Sequence, residues 1–122
     1  LWTGCAGFRD VEAEAPVRRD TVFRLASVSK LIAATAAAKL AEDGLLDLDA
    51  PAGETLEWLP PAWHAPTPRQ LAAHIAGAPH YIAEDFNALG DIHFATGRDA
   101  VGYFSGRALL SPPGTAYHYS SW

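Results

Sequence analysis

The chain has 122 residues, 49% hydrophobic and 19% charged, with a formal net charge of −5; this is the size and balance of one modest globular domain. Nine Lys+Arg, scattered among fourteen Asp+Glu, form no basic stripe of the kind nucleic acid requires. The longest apolar run, Leu31–Ala38 and on past Lys39 to Ala41, falls short of the roughly 20 residues that span a bilayer.

Residues 1–9 mix small, aromatic and apolar types and read as a strand. Cys5, the single cysteine, makes no internal disulfide and reads as a buried strand residue. Leu-Trp-Thr-Gly-Cys has the outline of a lipoprotein cleavage site but lacks the apolar segment before it. Asp10 to Asp20 is charged, contains Pro16, and reads as a turn or exposed connection. Thr21-Val22-Phe23 is a short β-prone stretch. From Ser27 to Asp43 the residues are strong helix formers, many of them alanine. Apolar residues lie nearly all round this helix, which predicts a buried, central position, and Gly44 is a natural stop.

Leu45 to Pro51 reads as an extended link, and residues 51–66, with prolines at 51, 60, 61 and 66, as loop. Thr67 followed by Pro68 is a helix start, with Thr67 as cap; that helix runs through Leu71–Ile75 and ends at Gly77. Residues 85–97 are ambiguous. Arg98 to Leu109 reads as a helix with Val101, Phe104 and Ala108 on one face, weakened by Gly102 and Gly106. Ser111-Pro112-Pro113-Gly114 is a turn. The chain starts at Leu1 rather than Met and stops at Trp122, directly after a Tyr-Ser-Ser cluster. We therefore expect a piece of a longer protein, and localisation stays open.

The chemistry begins at Ser27 and Lys30. Residues i and i+3 share a helix face, so a hydroxyl and an amine meet there, beside the positive end of the helix. A lone Ser-x-x-Lys occurs by chance in roughly half of chains this size, and its bland reading is a helix start with an exposed lysine. Here the pair lies between a β-prone stretch and an apolar helix, which predicts partial desolvation of Lys30. A lysine that ordinarily titrates at about 10.4 must come down to about 7 to serve as a base for Ser27, at a cost of roughly 4 kcal/mol.

Tyr117-His118-Tyr119-Ser120-Ser121 offers a second proton carrier, since an ammonium beside a phenol favours the phenolate. Tyr103-Phe104-Ser105 has the same Tyr-x-Ser spacing, and in either place an aromatic core contact is the bland reading. Histidines 64, 74, 80, 93 and 118 show no close metal-ligand spacing. His74 and His80, flanking Gly77, read as structural hydrogen-bonding groups, and Asp47 and Asp49, alternating with leucines, as solvent-facing. No Gly-rich phosphate loop is present, and no cofactor is expected.

Phe23–Lys30, FRLASVSK, resembles the nucleophile motif of the serine β-lactamase and penicillin-binding-protein superfamily, in its class C-like branch. The likeness extends through four ordered blocks. GFRDVEAEAPVRRDTVFRLASVSK is similar to the strand, turn and strand that lead into the motif. KLAEDGLLDLDAP is similar to the helix end and its Leu-Asp-Leu-Asp-x-Pro link, and TPRQLAAHIAGAPHY to a Leu-x-x-His-x-x-Gly segment. SPPGTAYHYSS is similar to the Pro-Gly turn before Tyr-x-Asn. The Gly-x-x-His-Tyr stretch is shared with the branch's mitochondrial-type members.

The resemblance implies an α/β (α+β) fold of the β-lactamase/transpeptidase type, present in part. Residues 1–26 would supply strands of an antiparallel sheet, 27–44 the nucleophile helix, and 45–122 loops and helical region. It implies Ser27 as the acylated nucleophile, Lys30 as its lysine partner and Tyr119 as the second-motif tyrosine, with the Pro113-Gly114 turn selecting Tyr119 over Tyr103. Ser121 stands where many relatives have asparagine; a hydroxyl still donates to a substrate carbonyl, with shorter reach and one donor instead of two. The third block of the superfamily, Lys-Thr-Gly or His-x-Gly, supplies a second oxyanion donor from a later strand, and the chain ends before it. Loss of one such donor costs about 10²–10³ in rate, so the expectation is a chain that is catalytically dead and poorly stable by itself. The implied activity is that of a serine hydrolase forming an acyl-enzyme (an esterase or peptidase more than a strict β-lactamase) on a small-molecule or peptide substrate with an ester or amide carbonyl. The alternative is a non-catalytic binding or assembly protein that keeps the fold.

Overall fold

A two-stranded antiparallel ribbon opens the computed structural model, which describes residues 2–90 and 92–122. Leu1, at the head of the expected first strand, and Asp91, within the ambiguous stretch 85–97, lie outside the described residues. Strand β1 (Phe8–Asp10) pairs with β2 (Ala15–Pro16), placing Phe8 opposite Pro16 and Asp10 opposite Ala15 with an irregularity between. Asp10 closes the turn by accepting the Ala13 N–H at 3.0 Å.

This ribbon is smaller than the sequence suggests. The expected strand over 1–9 is regular only at its end, and Cys5 is exposed rather than buried. Residues 21–23 form no strand, and Val22 is 93% exposed. The reason is pairing: β-prone side chains make a strand only where a neighbour takes up the backbone N–H and C=O groups, and among the described residues the ribbon has only two members.

A 3₁₀ turn, Ala26–Val28, leads into helix α1 (Ser29–Glu42). Near the end of α1, Lys39 pairs with Glu42 at 3.4 Å and with Asp43, where a cation suits the exposed carbonyls. Gly44, at φ +71°, stops the helix as expected. The expected burial of this helix is not found: no residue of α1 is buried, and Leu31 is 69% exposed. A helix apolar on every side needs neighbours on every side, and this chain lays chiefly the 3₁₀ turn and α3 against it.

The core sits instead in the second half. Within the proline-rich stretch expected to be loop, Ala52–Thr55 form a single helical turn, α2, and Pro61–Trp63 a 3₁₀ turn. The two are stitched by Ala52 N–H to Pro66 O at 2.8 Å and Gly53 N–H to His64 O at 3.1 Å. Ala52, Leu59, Trp63, Ala78 and Phe104 are buried together, with Trp122 packed on them. Phe104 meets Trp63 edge-on at 5.3 Å and stacks on Trp122 at 5.1 Å, both favoured aromatic geometries.

Helix α3 (Pro68–Ala72) starts as the sequence predicts. Thr67 Oγ1 accepts the Gln70 N–H at 3.2 Å while Gln70 Oε1 accepts the Thr67 N–H at 3.1 Å, a complete capping box. It ends earlier than Ile75, because His74 turns to φ +59°. In the ambiguous stretch, α4 (Ala83–Leu89) begins where the Asp85 carboxylate accepts the Ile82 N–H at 2.9 Å. Helix α5 (Gly97–Phe104) is capped by Thr96 and stops short of Leu109, ahead of Gly106.

Candidate active site

Ser27 stands in the 3₁₀ turn before α1, and Lys30 one turn further on. Their spacing brings Lys30 Nζ to donate to Ser27 Oγ at 3.2 Å. The residue before the serine, Ala26, has φ +46°, a left-handed conformation that costs a residue with a Cβ about 1–2 kcal/mol. Such strain persists where surrounding structure over-determines it, and it gathers at functional sites.

The third member comes from 92 positions away. Ser27 Oγ and Tyr119 OH share a hydrogen bond of 2.6 Å, and Lys30 Nζ lies 5.0 Å from the Tyr119 ring centroid. Lys30 also donates to Ser121 Oγ at 3.0 Å. The four residues singled out from the sequence thus meet in one cluster, while Tyr103 lies in the aromatic core beside Phe94 and Trp122. The hydrogen bond to Ser27, then that from Lys30, holds the Tyr119 phenol below its ordinary pKa, because both favour the phenolate.

The segment carrying Tyr119 and Ser121 is held by the loop after α3. His74 O accepts the His118 N–H at 2.8 Å. His74 Nδ1 accepts the Ser120 N–H at 3.3 Å, and His80 Nδ1 the Ser121 N–H at 3.1 Å. Buried Ser120 donates to Pro79 O at 2.7 Å. The His74 ring lies 4.6 Å from the Tyr119 ring, and the His80 ring 5.5 Å. The two histidines are therefore structural hydrogen-bonding groups, as their places around Gly77 suggest, and their partners are the backbone N–H groups on either side of Tyr119 and that of Ser121 itself. The sequence carries no signal for those partners.

Gly77, at φ +77°, allows the loop to pass Ser111, since a Cβ there would run into the Ser111 carbonyl oxygen. Asp49, exposed as expected, makes a two-pronged pair with Arg69 at 2.7 and 2.9 Å away from the cluster. Beyond it, Asp85 is only 5% exposed and receives both arms of Arg107. Arg107 and then the Ile82 N–H hold the Asp85 carboxyl at a pKa of about 2. This pair ties α4 to the chain after α5, and the guanidinium lies 5.7 Å from the Trp122 ring centroid.

Ser27, Lys30 and Ser121 line a cleft of about 640 Å³ together with Tyr81, Phe86 and Leu89. Arg24, on the stretch leading to the serine, lines the same cleft. Neither Arg24 nor the α4 residues of the cleft are signalled in the sequence: the pattern across 85–97 is neither clearly helical nor clearly extended.

The described arrangement can do one kind of chemistry directly. A hydroxyl in contact with both a phenol and an amine, beside an open cleft, has the parts of an activated nucleophile. A family model described as Beta-lactamase matches residues 1–122. The human serine beta-lactamase-like protein LACTB, mitochondrial, is 37% identical over 86 residues, covering 66% of this chain and 16% of that protein. Esterase EstB of Burkholderia gladioli is 48% identical over 60 residues, covering 49% of this chain and 14% of the esterase. In three dimensions, EstCE1, a hydrolase with promiscuous acyltransferase activity, superposes with a TM-score of 0.76 at 31% identity, over 93% of this chain and 34% of that one. The chain therefore spans about a sixth of the matched human protein's length and about a third of EstCE1. With the four sequence blocks, the mixed α/β fold and a family match from end to end, the chain belongs to the beta-lactamase family, a family with hydrolases among its members.

Proposed function

We propose that this chain carries the acylating half of a serine hydrolase site. Ser27 Oγ attacks an ester or amide carbonyl, the Oγ–C bond forms, and the serine proton passes to Tyr119. As the tetrahedral intermediate collapses, the C–O or C–N bond to the leaving group breaks and Tyr119 returns the proton to that group. Lys30 donates into the Ser27–Ser121 pair and favours the Tyr119 phenolate in between. The Ser27 amide serves as one oxyanion donor, and Ser121 faces the substrate carbonyl with its single O–H. Water then frees the acyl group.

The observation that carries this reading is the hydrogen bond of 2.6 Å between Ser27 Oγ and Tyr119 OH, with Lys30 Nζ at 3.2 Å from the same oxygen. Family membership supports a hydrolase, while the chain's span of about a third of EstCE1 leaves the second oxyanion donor and full turnover to residues outside these 122. A serine-directed phosphonylating probe tests it: a fluorophosphonate should add its phosphonyl mass once to the full-length protein that carries these residues, and Ser27→Ala should abolish the adduct. A folded chain that takes up no mass would favour the alternative, a binding or assembly role, for which the exposed apolar face of α1 is the supporting observation.

A further inference from the structure

The cleft beside Ser27 is divided in character. Its lining includes the cations Arg24 and Lys30 from the stretch around the serine, and Tyr81, Phe86 and Leu89 from α4 and the segment before it. Phe86 is 65% exposed, with its ring 5.8 Å from that of Tyr81. The Trp122 ring, packed on the core, lies 6.1 Å from that of Tyr81, so Tyr81 and Phe86 form an aromatic shelf in contact with the core. Their position is fixed from below, because buried Asp85, next to Phe86 in α4, both caps that helix and binds Arg107. A large exposed aromatic facing an open cleft, on a helix anchored this firmly, is surface awaiting an apolar group. The cations are equally informative. Among the described residues lining the cleft, Arg24 and Lys30 are charged and no carboxylate is present, so a positive charge on the substrate near the carbonyl meets repulsion from these two cations.

From this juxtaposition, and resting on the acylation reading above, we propose a substrate class. The cleft takes esters or amides whose acyl group is an arylalkyl or medium alkyl chain, laid on Tyr81 and Phe86, and which bear no ammonium beside the carbonyl. Aminoacyl compounds with a free α-ammonium are disfavoured by the same site.

Four p-nitrophenyl esters test this on the full-length protein that carries these residues: acetate, hexanoate, 3-phenylpropanoate and phenylalaninate, the last adding only an α-ammonium to the third. Acylation needs no turnover, so the readout is the rate of Ser27 adduct formation by mass, divided by each ester's own rate with hydroxide. A fully buried methylene is worth about fourfold. On this open shelf 3-phenylpropanoate should exceed acetate about tenfold or more, with hexanoate between. Like charges roughly 6 Å apart predict a loss of about 3- to 100-fold for phenylalaninate relative to 3-phenylpropanoate. Phe86→Ala should shrink the first ratio, and Arg24→Gln should narrow the second.

Equal normalised rates across the four esters, with Ser27 labelled by all, would overturn the substrate class and leave the acylation reading standing. If no ester labels Ser27, that reading falls, and binding to the Ser27→Ala chain decides the shelf alone. Saturable shifts of the Phe86 ring resonances by 3-phenylpropanoate, unmatched by acetate, support it, and their absence overturns it.

Discussion

Gly77 links the fold to the site, and replacing it with alanine separates two costs. The residue sits at φ +77°, and a Cβ there meets the Ser111 carbonyl oxygen well inside van der Waals contact. Holding alanine in the left-handed region costs about 1–2 kcal/mol. Relieving the clash means moving backbone, not a side-chain tip, and overpacking of this kind costs about 1–3 kcal/mol more. The loop cannot shift freely: Gly77 O accepts the Leu110 N–H at 2.7 Å, Ile75 O the Gly114 N–H at 2.7 Å and His74 O the His118 N–H at 2.8 Å. Gly44→Ala provides the control, since Gly44 has φ +71° and nothing within 4 Å of its would-be Cβ. Urea unfolding followed by tryptophan fluorescence should show Gly77→Ala losing about 2–5 kcal/mol and Gly44→Ala only about 1–2 kcal/mol. Displacement of Tyr119 by an ångström should also slow Ser27 acylation about 10²-fold in the Gly77 variant alone. Equal losses in the two variants would refute the close approach to Ser111.

Three further outcomes follow from the same geometry. Tyr119 is held below an ordinary phenol; if, as proposed, its phenolate accepts the serine proton, Ser27 acylation should rise with pH to a plateau whose inflection lies below about 10. Lys30→Met should move that inflection upward, and a rate flat from about pH 6 to 9 would contradict the assignment. Asp85 is held at a pKa of about 2 by Arg107 and the Ile82 N–H, below its unfolded value of about 3.9. Its contribution to stability is therefore complete above about pH 4 and is lost as pH falls through about 2. Acid titration followed by circular dichroism should show that limb flattened in Asp85→Asn. Thr67→Ala removes one arm of the α3 capping box and should lower stability by about 0.5–2 kcal/mol, measured by the urea midpoint; an unchanged midpoint would mean that the cap is not formed in solution.

Features that depend on local chain chemistry could be read from the sequence, and features that depend on distant partners could not. The Thr67–Gln70 start and the Gly44 stop need only neighbouring residues, and both stand where the sequence puts them. Val22 and Phe23 have the side chains of a strand but, among the described residues, no strand beside them. The alanines of α1 imply a crowded environment that the described residues do not build around it. Helix α4 escaped notice because its cap is a carboxylate three positions in, Asp85, behind an isoleucine that offers no signal of its own. At the site, the approach of Lys30 to Ser27 follows from one turn of chain. The arrival of Tyr119 depends on His74, Gly77 and His80, which align the last segment. Two Tyr-x-Ser stretches are indistinguishable by spacing, and only the resemblance, through Pro113-Gly114, pointed to the one that the structure brings beside Ser27.

The central claim is that Ser27, Lys30 and Tyr119 act as one acylating unit, and Tyr119→Phe tests it most directly. Phenylalanine keeps the ring against His74 and removes only the oxygen that lies 2.6 Å from Ser27. The measurement is the rate of fluorophosphonate labelling, with the adduct located by peptide mapping among Ser27, Ser29 and Ser121, the serines lining the cleft. The account predicts an adduct on Ser27 alone in the unsubstituted chain, forming about 10²–10⁴-fold more slowly in the folded Tyr119→Phe variant. Labelling of the variant at the unsubstituted rate, or an adduct on Ser29 or Ser121 instead, would contradict it.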